Sequence, residues 1–160
     1  MSDVYATINY VLVNLINEIW EVEGKAIITD EFKDITNNDM HVIEAIGLGE
    51  GNNMSTIAKK LNITVGSLTT AVNSLVKKGY VDRFRSKEDR RVAYVRLLEK
   101  GEKAYHHHED YHKQMTQAIV DKLDESEITV LLKTLDALTG FFIDYTRESK
   151  EKSSDSMDKE

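Results

Sequence analysis

A chain of 160 residues, acidic at net −7 and free of cysteine and proline, suits one domain or one domain with an attached dimerisation layer. The missing cysteines exclude disulfides and a thiol redox sensor, and the missing prolines permit long uninterrupted helices. No secretory leader and no apolar run of membrane-spanning length stands out, so a cytoplasmic protein is expected.

The first helix is predicted over about residues 2–22. Val4, Ile8, Val11, Leu12, Leu15, Ile16 and Ile19 form a continuous apolar face there. A loop rich in glycine and charge follows. Asp39 to Ile46 suits a short helix with Met40, Ile43 and Ile46 buried, broken by Gly47, Gly49 and Gly51. Met54, Ile57, Ala58 and Leu61 share one face of a third helix, with Asn52 or Asn53 as its cap and Asn62 at its exit. Thr64 is the natural N-cap of a fourth helix, whose buried stripe is Leu68, Val72, Leu75 and Val76. Gly79 stops that helix from the C′ position. Two short strands are expected next, carrying Tyr80, Val81 and Phe84, then Val92, Tyr94, Val95 and Leu97. Beyond them, residues 99–122 and 126–145 read as two further helices. The last carries the wide apolar set Ile128, Leu131, Leu132, Leu135, Leu138, Phe141, Phe142 and Tyr145. Residues 147–160 are charged, nearly free of apolar side chains, and read as a disordered tail.

Helix, turn, helix and β-hairpin in that order make a winged helix-turn-helix, here over about residues 36–98. The fold class is therefore mainly α (α+β), with a two-stranded wing and a helical dimerisation layer made by residues 2–22, 99–122 and 126–145. Such a module sets one helix in a DNA major groove and a basic loop against a neighbouring groove. The outer face of the fourth helix is Gly66, Ser67, Thr69, Thr70, Asn73, Ser74 and Lys77. It holds no acidic group, and short side chains allow close approach to the groove floor. Ser, Thr and Asn can donate to phosphates, and Asn can pair with adenine. An ordinary solvated helix would carry Glu and Lys there.

The hairpin tip adds Arg85, Lys87, Arg90 and Arg91, suited to a narrow electronegative minor groove. Asp89 is expected to brace a neighbouring arginine. Residues 59–100 hold 11 Lys and Arg against 4 Asp and Glu, a local charge of +7 in an acidic chain. A protein that meets phosphate with one face has this footprint. Ser67, Thr69, Thr70, Asn73, Lys77, Arg85, Lys87, Arg90 and Arg91 are the expected contacts to double-stranded DNA. A protein-docking winged helix is the alternative module, and an acidic wing would have favoured it.

No P-loop, nucleophile elbow or cysteine nucleophile is present, so an enzyme is not expected. The one chemically suggestive cluster is His106-His107-His108-Glu109-Asp110, followed by His112. His108 and His112 stand at i, i+4, a spacing that can chelate one metal ion. The bland reading is a set of surface or interhelical histidines.

Residues 75–104, "LVKKGYVDRFRSKEDRRVAYVRLLEKGEKA", resemble the wing of the MarR family of transcriptional regulators. The "KKGY" start, the "DRR" tip and the "LLEKG" strand-to-helix exit carry the likeness, which extends over about residues 5–146. It implies a single domain over residues 1–146 and an obligate homodimer of triangular shape, each subunit having six helices and one wing. It also implies DNA contacts on the outer face of the fourth helix and at Arg90 and Arg91. "EFKDITNNDMHVIEAIG", "ITVGSLTTAVNSLVKKGYVDR" and "YHKQMTQAI" further resemble the FabT branch, repressors of fatty-acid synthesis genes. That branch implies, as corepressor partner, acyl carrier protein bearing a long acyl chain, while dimeric binding predicts a palindromic operator. Ile16, Ile19, Trp20, Met40, Ile43 and Met115 are the candidates for lining an acyl tunnel, or else plain core. No cofactor or metal is expected on this reading. Zinc-responsive members of the family present an alternative, with a first-helix carboxylate (Glu21 or Glu23), His41, His108 and His112 as ligands.

Overall fold

The computed structural model describes residues 2–85 and 91–157. The chain divides into two compact units, Met1–His112 and Lys113–Glu160.

The first unit begins with α1 (Ser2–Ile27) and α2 (Asn37–Ile46). α1 continues past the predicted end near Val22, because its inward face is carried on by buried Glu23 and Ile27 at i, i+4. Thr36 caps α2 in a reciprocal box: its hydroxyl oxygen accepts from the Asp39 amide, and the Asp39 carboxylate accepts from the Thr36 amide.

β1 (Asn52–Asn53), α3 (Met54–Leu61) and α4 (Val65–Lys77) follow. Asn53 is the residue that caps α3, accepting from Thr56 N at 2.8 Å. Asn52 instead donates to the Ile46 carbonyl at 2.7 Å. Asn62 takes the left-handed exit, and Thr64 caps α4, both as the sequence predicts. Leu68, Val72 and Leu75 are fully buried, each stabilising the unit by about 1.5–3 kcal/mol. Val76 is not part of that stripe. It is 41% exposed, because it stands at the flank of the apolar arc rather than inside it.

β2 (Val81–Arg85) and β3 (Ala93–Leu97) form the hairpin, with Val81 opposite Leu97 and Arg85 opposite Ala93. Tyr80 and Val92 lie just outside these strands. The sheet has three strands, in the antiparallel order β1-β3-β2, rather than the two expected. Asn52 and Asn53 pair with Val95 and Tyr94, a two-residue strand too short to show any periodicity. Gly79 has φ +76, the conformation its helix-stopping place requires.

α5 (Glu99–Val120) leaves the sheet at once, ending slightly before the predicted residue 122. Gly101 lets it do so: a Cβ at this position would lie 2.1 Å from the Tyr80 carbonyl oxygen. The core of the unit joins Met40, Ile43 and Ile46 of α2 to Ile57, Leu68, Leu75, Tyr80 and Val95.

The second unit holds the end of α5 and α6 (Glu125–Met157). Asp124 caps α6, accepting from Ser126 N and Glu127 N, while Glu127 accepts from Asp124 N. α6 continues past the predicted end near Tyr145 and takes in residues 147–157, which were expected to be disordered. That segment contains neither Gly nor Pro and is rich in Lys and Glu, which favour helix. Among the described residues, no helix is long and apolar enough to cross a membrane.

Two apolar surfaces are open. On α1, Val4, Ile8, Val11, Leu15, Ile16 and Ile19 are each at least 38% exposed, with Leu12 half-buried. On α6, Leu132, Leu135, Phe141, Phe142 and Tyr145 are exposed, and Ile128, Leu131 and Leu138 are half-buried.

Candidate nucleic-acid interface

α4 turns Leu68, Val72 and Leu75 inward, so Ser67, Thr70, Asn73 and Lys77 stand exposed on its opposite side. Thr69 is half-buried at the flank. Several hydroxyls have local partners. Ser67 Oγ lies 2.9 Å from Thr64 Oγ1, within the N-cap. Thr69 donates to the Val65 carbonyl at 2.8 Å and Thr70 to the Gly66 carbonyl at 3.4 Å. These bonds engage the hydroxyls locally, in the first turns of α4. Asn73 and Lys77 are exposed and carry donors of the kinds that suit base edges and phosphates respectively.

Arg85 is exposed at the end of β2, and Arg91 is exposed two residues before β3. Lys87, Asp89 and Arg90 lie outside the described residues, as does the expected bracing by Asp89. The strands show a different brace. Asp82 and Arg96 are paired across β2 and β3, and Arg96 Nη2 donates to Asp82 Oδ2 at 3.0 Å. The same guanidinium lies 5.1 Å above the Phe84 ring, which stacks on Tyr94 at 5.8 Å. Sequence reading missed this pair, which becomes visible only once the strand register is known.

Two ion pairs fasten the reading elements to the α1–α2 region. Lys78 donates to Asp39 Oδ2 at 2.8 Å, joining the end of α4 to the start of α2. Tyr80 donates to Asp34 Oδ1 at 2.7 Å, and Lys100 approaches the same carboxylate at 3.2 Å while lying 4.1 Å from the Tyr80 ring centre. The Tyr80 hydrogen bond, with help from Lys100, holds the Asp34 carboxyl below its ordinary pKa. Burial, with the Asp34 charge adding to it, pushes the Tyr80 phenol up.

The first unit also gathers a carboxylate–imidazole cluster. Gly101, Ala104 and His108 make the buried stripe of α5, and His112 continues it one turn on. Glu23 Oε1 lies 3.1 Å from His112 Nε2 and 3.4 Å from His108 Nε2, and the two imidazole nitrogens are 3.0 Å apart. Burial holds the His108 imidazole below its ordinary pKa, against the Glu44 and Glu23 carboxylates, with His112 and His41 reinforcing the depression.

Of the two predicted acidic candidates, Glu23 is the one present. Glu21 makes a surface pair with Lys25 at 2.6 Å. His41 stays outside the cluster, its ring 6.4 Å from that of His108, and approaches Glu44 Oε2 at 3.5 Å. Glu44 Oε1 is itself 3.5 Å from His108 Nε2. Glu44 was missed in the sequence, although His41-x-x-Glu44 on one helix face was the available signal. The other two histidines are occupied elsewhere: His106 with Glu109, and His107 with the Ala26 carbonyl at 2.9 Å.

Beside the cluster opens a cavity of ≈ 570 Å³ lined by Ile19, His41, Glu44, Tyr105, Glu109 and His112, with Glu23 at its base. Of the expected tunnel residues only Ile19 lines it. Met40 and Ile43 are core, at 1% and 0% exposure, because they face α3 and α4. Ile16 and Trp20 are exposed on α1, and Met115 is half-buried in the second unit.

Comparison with known proteins agrees with the fold. The MarR family model matches residues 35–93, which take in α2, α3, α4 and most of the wing. The crystal structure of Streptococcus pneumoniae FabT in complex with DNA is 37% identical, with a TM-score of 0.83, over 88% of this chain and 99% of that one. The Staphylococcus aureus MepR–DNA complex shares the fold at 22% identity and a TM-score of 0.67, over 82% of this chain and 96% of that one. The HTH-type transcriptional regulator PchR of Bacillus subtilis is 29% identical over 104 residues, 63% of this chain and 62% of its own length, slightly under two thirds. These relatives are named as transcriptional regulators rather than enzymes. A helix-turn-helix with a carboxylate-free reading face, flanked by a basic wing and matched along nearly its whole length to a DNA-bound regulator, makes this chain a DNA-binding transcriptional regulator of the MarR family.

Proposed function

We propose that the chain acts as a homodimeric repressor of fatty-acid biosynthesis genes, with long-chain acyl-acyl carrier protein as corepressor. The observation that carries this reading is the 37% identity to FabT over 99% of the FabT chain, in a structure that holds DNA. The open apolar faces of α1 and α6 support the dimer, since exposed patches of this kind mark association surfaces. Two copies of α4 then address a palindromic operator with half-sites about 10 bp apart.

Corepression is a population shift. An acylated carrier that prefers the DNA-competent arrangement of the dimer tightens operator binding by its differential affinity for that arrangement. Each acyl CH₂ that becomes buried adds about 0.8 kcal/mol. Exposed Ile16, Ile19 and Trp20 offer apolar surface on α1 for the chain.

The test is fluorescence anisotropy of a labelled operator, titrated with repressor in chelator and with acyl carriers of graded length. Affinity should rise with chain length, and unacylated carrier should have no effect. Operator binding indifferent to every acyl carrier would defeat the corepressor reading.

A further inference from the structure

The core grips the hairpin at its base. Val81 and Leu97 face each other across β2 and β3, and both are buried together with Val95. Farther out, Arg83 and Arg85 stand exposed on that same inner face, since alternate residues of a strand share a side. β1 flanks β3 only at Tyr94 and Val95, so at the pair Arg85–Ala93 the hairpin is a two-stranded ribbon. Such ribbons twist most strongly, and a hairpin left to itself is marginally stable at best.

The opposite face carries a ladder that runs outward from the gripped base. Asp82 accepts from Arg96 Nη2 at 3.0 Å, one pair out from Val81 and Leu97. The Arg96 guanidinium lies 5.1 Å from the centre of the Phe84 ring, and Phe84 stacks on Tyr94 at 5.8 Å. Phe84 and Tyr94 are themselves opposed across the strands, next to the pair Arg85–Ala93. Cross-strand pairs of this kind are what hold two strands in a fixed relation. The ladder is also open to solvent: the side chains of Asp82 and Arg96 are 41% and 50% exposed, and Phe84 and Tyr94 are half-buried. An ion pair this exposed contributes little to global stability. What it can govern is the lean of the strands that carry the wing arginines.

We propose that Asp82 and Arg96 are positioning residues for DNA binding: the pair, continued by Phe84 and Tyr94, sets the lean of the hairpin so that Arg85 and Arg91 meet the phosphate backbone. The consequence has a sign that charge alone would reverse. Removing a carboxylate from a basic wing tightens DNA binding where only the net charge acts. Removing a strut loosens it. The inference rests on the wing arginines meeting DNA and is independent of the acyl-carrier reading.

The test uses the full-length protein and a labelled duplex that the wild type has selected from a random-sequence pool, with fluorescence anisotropy read over a salt series. Asp82→Asn and Arg96→Met should each weaken binding about 3–10-fold, the scale on which residues that do not touch the ligand act. The double variant should bind no worse than the weaker single one, because each change removes the same pair. In Asp82→Asn the slope of log K against log salt should fall by about one unit, since a wing contact is lost although the protein is less negative. Thermal melts should stay close to wild type, which separates lost positioning from lost fold. Arg91→Ala, measured alongside, reports whether the wing meets DNA at all. Unchanged or tighter binding by Asp82→Asn, with Arg91→Ala weakened, would overturn the brace alone. Wild-type binding by both would overturn the wing contact on which the brace rests. A loss confined to Arg96→Met would make Arg96 a direct phosphate contact and would likewise overturn the proposal.

Discussion

Lys78, the residue that ends the recognition helix, donates to Asp39, the residue that closes the capping box of α2. One carboxylate thus serves a helix start and a helix end that are 39 residues apart in sequence. Asp39→Ala removes both contacts and should destabilise the protein by about 2 kcal/mol in denaturant unfolding. Lys78→Met should cost less. The double-mutant cycle should show a coupling of about 1 kcal/mol, whereas strict additivity would mean that the two residues act independently.

Contacts on the reading face should separate by role. Arg91→Ala should weaken binding to every DNA sequence and lower the slope of log K against log salt by about one unit. Asn73→Ala should leave that slope unchanged and reduce discrimination between operator and mutated operator. Anisotropy over a salt series with both DNAs distinguishes the two. An unaltered affinity and slope in Arg91→Ala would remove this residue from the interface.

Acid stability should report the Asp34–Tyr80 hydrogen bond. The folded-state pKa of Asp34 lies below its ordinary value of 3.8, mainly because Tyr80 donates to the ionised form. Its contribution is therefore fully present above about pH 4 and is lost as pH falls through the lower folded-state value. Tyr80→Phe should lose about 1 kcal/mol at neutral pH and show a shallower decline below pH 4. Parallel acid limbs for wild type and variant, in urea melts at graded pH, would contradict this.

Gly101→Ala should be poorly tolerated. Its Cβ would meet the Tyr80 carbonyl oxygen at 2.1 Å, and that atom is backbone. α5 must shift against the sheet, at a cost of about 2–3 kcal/mol. Gly140→Ala meets no atom within 4 Å and should be neutral or slightly stabilising. Thermal melts of the two variants should diverge in these directions.

Phe141→Glu, on the exposed face of α6, should raise the dimer dissociation constant without unfolding the subunit. Light scattering after size exclusion should find a folded monomer at concentrations where wild type is dimeric. An unchanged dimer would place the association surface elsewhere.

The helix-turn-helix was legible because its signals are local. Asn53, Asn62, Thr64 and Gly79 each mark a boundary through their own backbone chemistry, and each stands where the sequence indicates. Long-range relations were not legible. β1 is two residues long and exists only because Val95 and Tyr94 pair with it. The Asp82–Arg96 brace needs the hairpin register, and the choice of Glu23 over Glu21 needs the rotation of α1 about its axis. Met40 and Ile43 had an apolar character compatible with tunnel or core, and only packing against neighbouring helices distinguishes the two.

Asn52 and Asn53 do two things at once. They pair with the middle of β3, while Asn53 caps α3 and Asn52 holds the last carbonyl of α2. The sheet and the helix pair consequently share the same two residues, which tie one to the other. In the proposed dimer, the variable left for control is the span between the two subunits, as in a pair of calipers.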